Sequence, residues 1–295
     1  MGPRRCDFAA LLGSEEHGRW LICPAEPARR VSRRYRDGTL ILETDFHTDD
    51  GAVRVIDFMP LRNGRAPQLV RIVEGLSGEV AMRMEFAPRL DYGSLTPWVE
   101  PAADGILALG GPNALHLSTT AALHAEGAAT VADFRLRQGV RERFSLMWYP
   151  SYGEQPPVED PDSALARTEA WWREWSSRCT YSGHWGDQVQ RSLITLKALT
   201  DEETGAIVAA PTTSLPEELG GSRNWDYRHR RPFDRPLPNT WRSPQTLRSA
   251  RQGASHRPER LRPPALMPRA PASTAAAGSR SRVSSRPRRG PGRAR

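Results

Sequence analysis

The chain has 295 residues, enough for two domains of ordinary size, and a formal net charge of +8. That charge is unevenly placed: from His229 onward 17 arginines face 2 acids, whereas residues 1–228 hold 25 Lys/Arg against 32 Asp/Glu. The body is therefore mildly acidic, which excludes the electrostatic footprint of a nucleic-acid binder and leaves only a nonspecific, salt-sensitive contact to the tail.

The opening residues, Met1 to Gly13, carry two arginines and then a short apolar patch broken by Asp7. They lack the pattern of a signal peptide, no run approaches the length of a membrane span, and a cytoplasmic protein with no membrane partner is expected. The cysteines Cys6, Cys23 and Cys179 form no C-x-x-C pair, so free thiols are expected rather than a disulfide framework or a metal site.

Residues 39–150 read as strand after strand. Leu40, Leu42, Thr44 and Phe46 alternate with polar positions, Thr48-Asp49-Asp50-Gly51 supplies a turn, and a second run follows from Val53 to Phe58. Val80, Met82, Met84 and Phe86 alternate with Ala81, Arg83 and Glu85. Leu107 to Leu109, the turn at 110–113, and Leu115, Leu117 and Thr119 give another hairpin, and Phe144, Leu146 and Trp148 close the series. Short strands without intervening helices predict an antiparallel β-sandwich over residues 1–155.

The pattern then turns helical. Asp160-Pro161 supplies an N-cap and a first-turn proline, and Leu165, Thr168, Trp172 and Trp175 mark one face of a helix ending near Ser177, within a linker at 156–183. A second helix is expected from about Trp185 to Thr200, with Val189, Leu193, Leu196 and Leu199 on one side. Gly205 to Ala210 is a short apolar extended piece leading into a turn-rich loop. From His229 on, Arg, Pro, Ala, Gly and Ser make up 49 of 67 residues with no apolar periodicity, so a disordered tail is expected over 229–295.

The most informative stretch is Ala209-Ala210-Pro211-Thr212-Thr213-Ser214-Leu215-Pro216-Glu217, followed by Gly220-Gly221-Ser222-Arg223-Asn224-Trp225-Asp226-Tyr227-Arg228. Together with Glu43-Thr44, Asp57-Phe58-Met59-Pro60, Asp91-Tyr92-Gly93, Pro97-Trp98, Arg191-Ser192-Leu193 and Leu196-Lys197-Ala198-Leu199, it resembles glycoside hydrolase family 15, in its bacterial trehalase-like and glucoamylase-like branch. The resemblance covers residues 8 to 228. It implies an N-terminal β-sandwich joined by a helical linker to an (α/α)6 barrel, here only its start at residues 184–228, and inverting hydrolysis of an α-glucosidic bond without metal or cofactor. The implied partner is an α-glucoside, trehalose or an α-glucan.

No position matches the family's two catalytic glutamates, so no catalytic residue is assigned and the chain is expected to be inactive. Glu217 belongs to the loop motif, and Asp201, Glu202 and Glu203 sit at a helix end. The resemblance places Tyr227 in the glucose pocket, where a phenol near the ring oxygen stabilises oxocarbenium charge, with a structural role as the alternative. Trp225 then offers an apolar wall or core packing, and Asp226 and Arg228 polar contacts. After Arg228 the family continues with Trp-Leu-Arg-Asp, but this chain reads His229-Arg230-Arg231-Pro232-Phe233-Asp234, as a frame change in a GC-rich gene would produce; only Lys197 is lysine among 42 basic residues. Relatives also have a segment before Phe8, so trimming at both ends is expected. A non-catalytic carbohydrate-binding or structural sandwich is the other reading, and self-association through the second helix is expected because its apolar stripe lacks barrel neighbours.

Overall fold

A computed structural model describes residues 17–62, 65–91, 93–201 and 205–208, together with 8, 10 and 14, all within the first of two units, residues 1–240. The segment from Ala209 to the C-terminus, and with it the disorder expected of residues 229–295, lies outside the described residues. In chain order these form β1 (Arg19–Pro24), β2 (Arg30–Tyr35), β3 (Leu42–His47), β4 (Gly51–Phe58), β5 (Gln68–Ala87), β6 (Trp98–Ala102), β7 (Gly105–Gly110), β8 (Asn113–Thr119), β9 (His124–Glu126), β10 (Ala129–Arg137) and β11 (Arg141–Pro150). Helices α1 (Pro161–Ser176) and α2 (Gly186–Ala198) follow. Among the described residues no helix is long and apolar enough to cross a membrane.

Every strand pairing is antiparallel, and β5 organises the whole. Its first half pairs with β4 and β11 in the order β2-β3-β4-β5-β11-β8-β7-β6, while its second half pairs with β1 and β10, and β9 joins through β10. The strand changes partners at Gly75-Leu76-Ser77-Gly78. Gly78 has φ +64°, and a Cβ there would lie 1.9 Å from the Asp50 carbonyl oxygen of the β3–β4 turn. Only glycine admits both the left-handed backbone and that approach.

The main core draws on both halves of β5: Val53 and Val55 of β4, Val73, Val80, Met82, Met84 and Phe86 of β5, Ile22 of β1, Ala132 and Leu136 of β10, and Phe144 and Leu146 of β11, with Leu115 and Leu117 of β8. A second core forms on the other face of β4 and the first half of β5, where Ile56, Phe58, Val70 and Ile72 meet Ile41 and, from α1, Ala164 and Leu165. Val73 and Ile72 are thus both buried on opposite faces, so burial along this half of the strand does not simply alternate. Helix α1 begins where the sequence predicts. Asp160 accepts from the Ser163 amide at 2.9 Å and Pro161 opens the first turn, so the buried side presents Leu165, Thr168 and Trp172.

Asp57 faces the main core side, where Arg71 Nε donates to it at 2.8 Å while Arg71 Nη1 donates to the Trp20 carbonyl at 2.7 Å, tying β4 to β1 across the two halves. Gly78→Ala should therefore be much more costly than Gly111→Ala, whose φ is +57° but whose Cβ would meet nothing within 4 Å. The left-handed strain alone costs about 1–2 kcal/mol, so urea unfolding of Gly111→Ala should show a loss of that order and Gly78→Ala a larger one.

Candidate functional site

Tyr227, Trp225, Asp226 and Arg228 lie outside the described residues, as do Glu202, Glu203, Glu217 and Glu218. The described residues bring none of the expected glucose pocket together. They do show the segment that precedes those residues in sequence. Helix α2 ends at Ala198, and a small hairpin follows in which the Val208 amide donates to Leu199 O at 2.9 Å and the Asp201 amide to Ala206 O at 2.7 Å. Of the extended piece expected over Gly205–Ala210, Ile207 bridges to Thr200, while Ala209 and Ala210 lie outside the described residues. Cys23 and Cys179 are free thiols, and among the described residues no group of His, Cys, Asp and Glu is placed to hold a metal ion.

Antiparallel register sets the β2–β3 turn at the same sheet end as the close of β4 at Phe58, the close of β11 at Pro150 and the start of β6 at Trp98. Trp98 is 72% exposed on this edge strand. The turn is held by both helices. Ser176 Oγ, at the end of α1, donates to Gly38 O at 2.5 Å. Arg191 of α2 donates to Thr39 O at 2.9 Å, and its guanidinium sits 4.4 Å from the Tyr35 ring centroid. Arg36 donates to Glu43 of β3 at 2.7 Å and to Glu169 of α1 at 2.5 Å. One short turn thus fixes where α1 stops and where α2 lies, and Arg191 of the Arg191-Ser192-Leu193 motif serves as an anchor.

Behind the turn lies a charge network that alternation alone does not reveal. Glu43 and Asp45 project from the β3 face expected to be solvated, yet both are buried. Arginines cover them: Arg34 reaches Glu43 at 2.6 Å and Asp45 at 3.2 Å, and Arg54 grips Asp45 through two bonds of 2.6 and 3.0 Å. The Arg54 hydrogen bond, opposed by burial and aided by the charges of Arg54 and Arg34, holds the Asp45 carboxyl below the usual carboxylate range. Farther along, Arg167 and then Arg65 lower Glu159 in the same way. The pattern that carries it is acids at 43 and 45 on one strand, Arg34 on the strand before, Arg36 in the turn between them, and Arg54 on the strand after.

Two outcomes follow. Asp45 and Glu159 have folded values below their ordinary 3.8 and 4.5, so the stability they confer is complete above those values and is lost as pH falls through the lower folded ones. Asp45→Asn should cost about 1.5–3 kcal/mol at neutral pH, and the gap to the natural chain should narrow in urea titrations run below pH 3.8. Arg191→Ala should raise amide exchange across α2 at least several-fold while β4 and β5 stay protected; equal protection in α2 would show that the anchor is idle.

Comparison with known proteins supplies the context for this junction. Residues 5–132 match the family described as "Trehalase-like, N-terminal". The trehalase of Mycolicibacterium smegmatis is 34% identical over 249 residues, covering 75% of this chain and 37% of its own length. That of Mycobacterium tuberculosis is 32% identical, covering 75% and 36%, and that of Thermoplasma acidophilum is 31% identical, covering 75% and 39%. The chain therefore spans well under half the length of the curated relatives it matches. Over three quarters of its length the chain is similar to trehalases, and residues 5–132 match the trehalase-like N-terminal family.

Proposed function

We propose that this chain is the N-terminal part of a trehalase-type glycoside hydrolase of family 15, an enzyme that hydrolyses α,α-trehalose to glucose with inversion. The observation that carries this is identity of 31–34% with three trehalases over 75% of the chain. The relatives' names favour trehalose over α-glucan as substrate. In this reading residues 1–155 are a β-sandwich, supported by one core shared between strands on both halves of β5. Residues 156–183 are a helical linker, residues 184–228 open an (α/α)6 barrel with α2 as its first helix, and residues 229–295 are a disordered tail. The free thiols Cys23 and Cys179 suit a cytoplasmic setting.

Inverting hydrolysis needs one carboxylic acid to protonate the leaving oxygen and a second carboxylate, roughly 6.5–9.5 Å away, to activate water. A general acid working near neutral pH needs a raised pKa. Asp45 and Glu159 are held low by arginines instead, which suits structural ion pairs rather than acid catalysis. The chemistry is therefore assigned to a part of the enzyme that this chain does not supply, and Tyr227, Trp225, Asp226 and Arg228 to the rim of the glucose pocket.

The purified chain should release no glucose from trehalose, maltose or starch above background, because general acid–base assistance alone typically contributes about 10²–10⁴-fold. Glucose release dependent on Glu217 would overturn the assignment of an inactive chain. The family reading is checked separately by resequencing the gene across codons 225 to 235. Another frame should resume Trp-Leu-Arg-Asp and later supply two glutamates; a gene without that continuation would favour a non-catalytic sandwich.

A further inference from the structure

Alternation along β8 places Leu115 and Leu117 in the main core and sends Ala114 and His116 to the opposite face. That face should meet water, yet His116 is 0% exposed. In register it lies between Met147 of β11 and Leu107 of β7, beside a third apolar cluster of Ala114, Met147 and Tyr149. Val158 packs against the same cluster, and it belongs to residues 151–160, which join β11 to α1 as a strap over this face. At the start of the strap the Ser151 amide donates to Pro112 O at 3.0 Å and its hydroxyl to Gly111 O at 2.8 Å. At its end Glu159 pairs with Arg65 and Arg167, and Asp160 caps α1. Between these ends Pro156 and Pro157 have no N–H, so the backbone there cannot donate to the sheet. Gln155, just before them, supplies a tie: its Nε2 lies 3.2 Å from His116 Nδ1.

The partners of this ring fix its proton. His116 Nε2 lies 2.9 Å from Asp104 Oδ1, and Asp104 Oδ2 accepts from Ser118 Oγ at 2.8 Å. Burial pushes the Asp104 carboxyl up, but Ser118 and His116 outweigh it and hold the group below the usual carboxylate range. A carboxylate only accepts, so Nε2 donates; an amide nitrogen only donates, so Nδ1 accepts. A neutral ring protonated at Nε2 meets both demands. We propose that His116, in this form, is a positioning residue: it gives the strap one seat on an apolar floor and so sets the point from which α1 departs. Apolar contact is non-directional, so Val158 by itself does not distinguish neighbouring seats. His116→Leu would still fill the floor, and replacing both partners of a hydrogen bond by apolar groups is close to neutral in stability. What the histidine adds is therefore register rather than stability. This inference stands apart from the activity reading, since the strap and its floor both lie within the described residues.

Imidazole nitrogen NMR of the full chain near neutral pH should show His116 as the neutral ring protonated at Nε2, with that proton slow to exchange because the site is buried. A proton on Nδ1, or a doubly protonated ring, would overturn the proposal. Gln155 lies at the surface, so Gln155→Met removes the donor without disturbing the core. The Ser151 amide and that of Gly153, which donates to Pro150 O at 2.9 Å, are both bonded in the seated strap. Their hydrogen exchange should quicken about tenfold in Gln155→Met, while β4, β5 and the melting temperature hold. Unchanged exchange at both amides would show the tie to be idle. The pair His116→Leu with Gln155→Met separates register from stability. Its melting temperature should stay within about 4 °C of the natural chain. Its Val158 methyl signals, a single set in the natural chain, should divide or broaden as the strap samples several seats. A single sharp set in that variant would mean that packing alone seats the strap, and an unfolded variant would make His116 ordinary core; either result ends the proposal.

Discussion

The fold depends on one constraint, the contact between Gly78 and the Asp50 carbonyl, because it lets a single 20-residue strand serve two sets of partners. Before the bend β5 is flanked by β4 and β11; beyond it, by β1 and β10. Val73 and Val80 lie on either side of the bend yet belong to the same core. A side chain at Gly78 would push the β3–β4 turn away, and with it Val53 and Val55, which line that core from β4. The tie from Arg71 to Asp57 and the Trp20 carbonyl closes the same core from its other end.

How much of this could be read from the sequence differs by element, for physical reasons. The β3–β4 hairpin and the second half of β5 were legible because one face is apolar and the other mostly polar. The first half of β5 was not, since α1 covers the face that would otherwise meet water, and Val70, Ile72 and Val73 are buried on both sides. Strand β2 was hidden by its composition: Arg30, Arg33 and Arg34 give no apolar period, though such charge suits a sheet edge that must not pair with another chain. Helix α1 was legible to within a residue or two because cap, proline and stripe agree. For α2 the extent was legible and the docked face was not. Arg191 finds its partner, Thr39 of the β2–β3 turn, 152 residues earlier, and no local pattern announces so distant a contact.

The candidate site divides in the same manner. Arg191 and Glu43 sat in motifs that marked the family resemblance, and the structure gives both a mechanical role at the junction. The pocket residues around Tyr227 rest on resemblance alone. The network at Glu43 and Asp45 uses arginine throughout. The planar guanidinium of Arg54 meets both oxygens of Asp45, and that of Arg36 spans Glu43 on a strand and Glu169 on a helix, geometries that a single ammonium point charge does not reproduce. An ion-paired buried carboxylate left without its partner is costly, so the network disfavours any arrangement in which α1 leaves the sheet.

The placement of β5 also sets an order of events during synthesis. One of its edges is met at once by β4, which precedes it, but the other waits for β11, whose Arg141 bonds Glu74 across a separation of 67 residues. Until β11 emerges from the ribosome, the longest of the described strands has an open edge and uncovered faces. Such an intermediate pairs readily with other nascent chains, and the loop-closure entropy of the late contact slows its repair. A protein built in this way meets its greatest hazard before its helices exist, and its yield in a cell is governed by how quickly the last strand arrives.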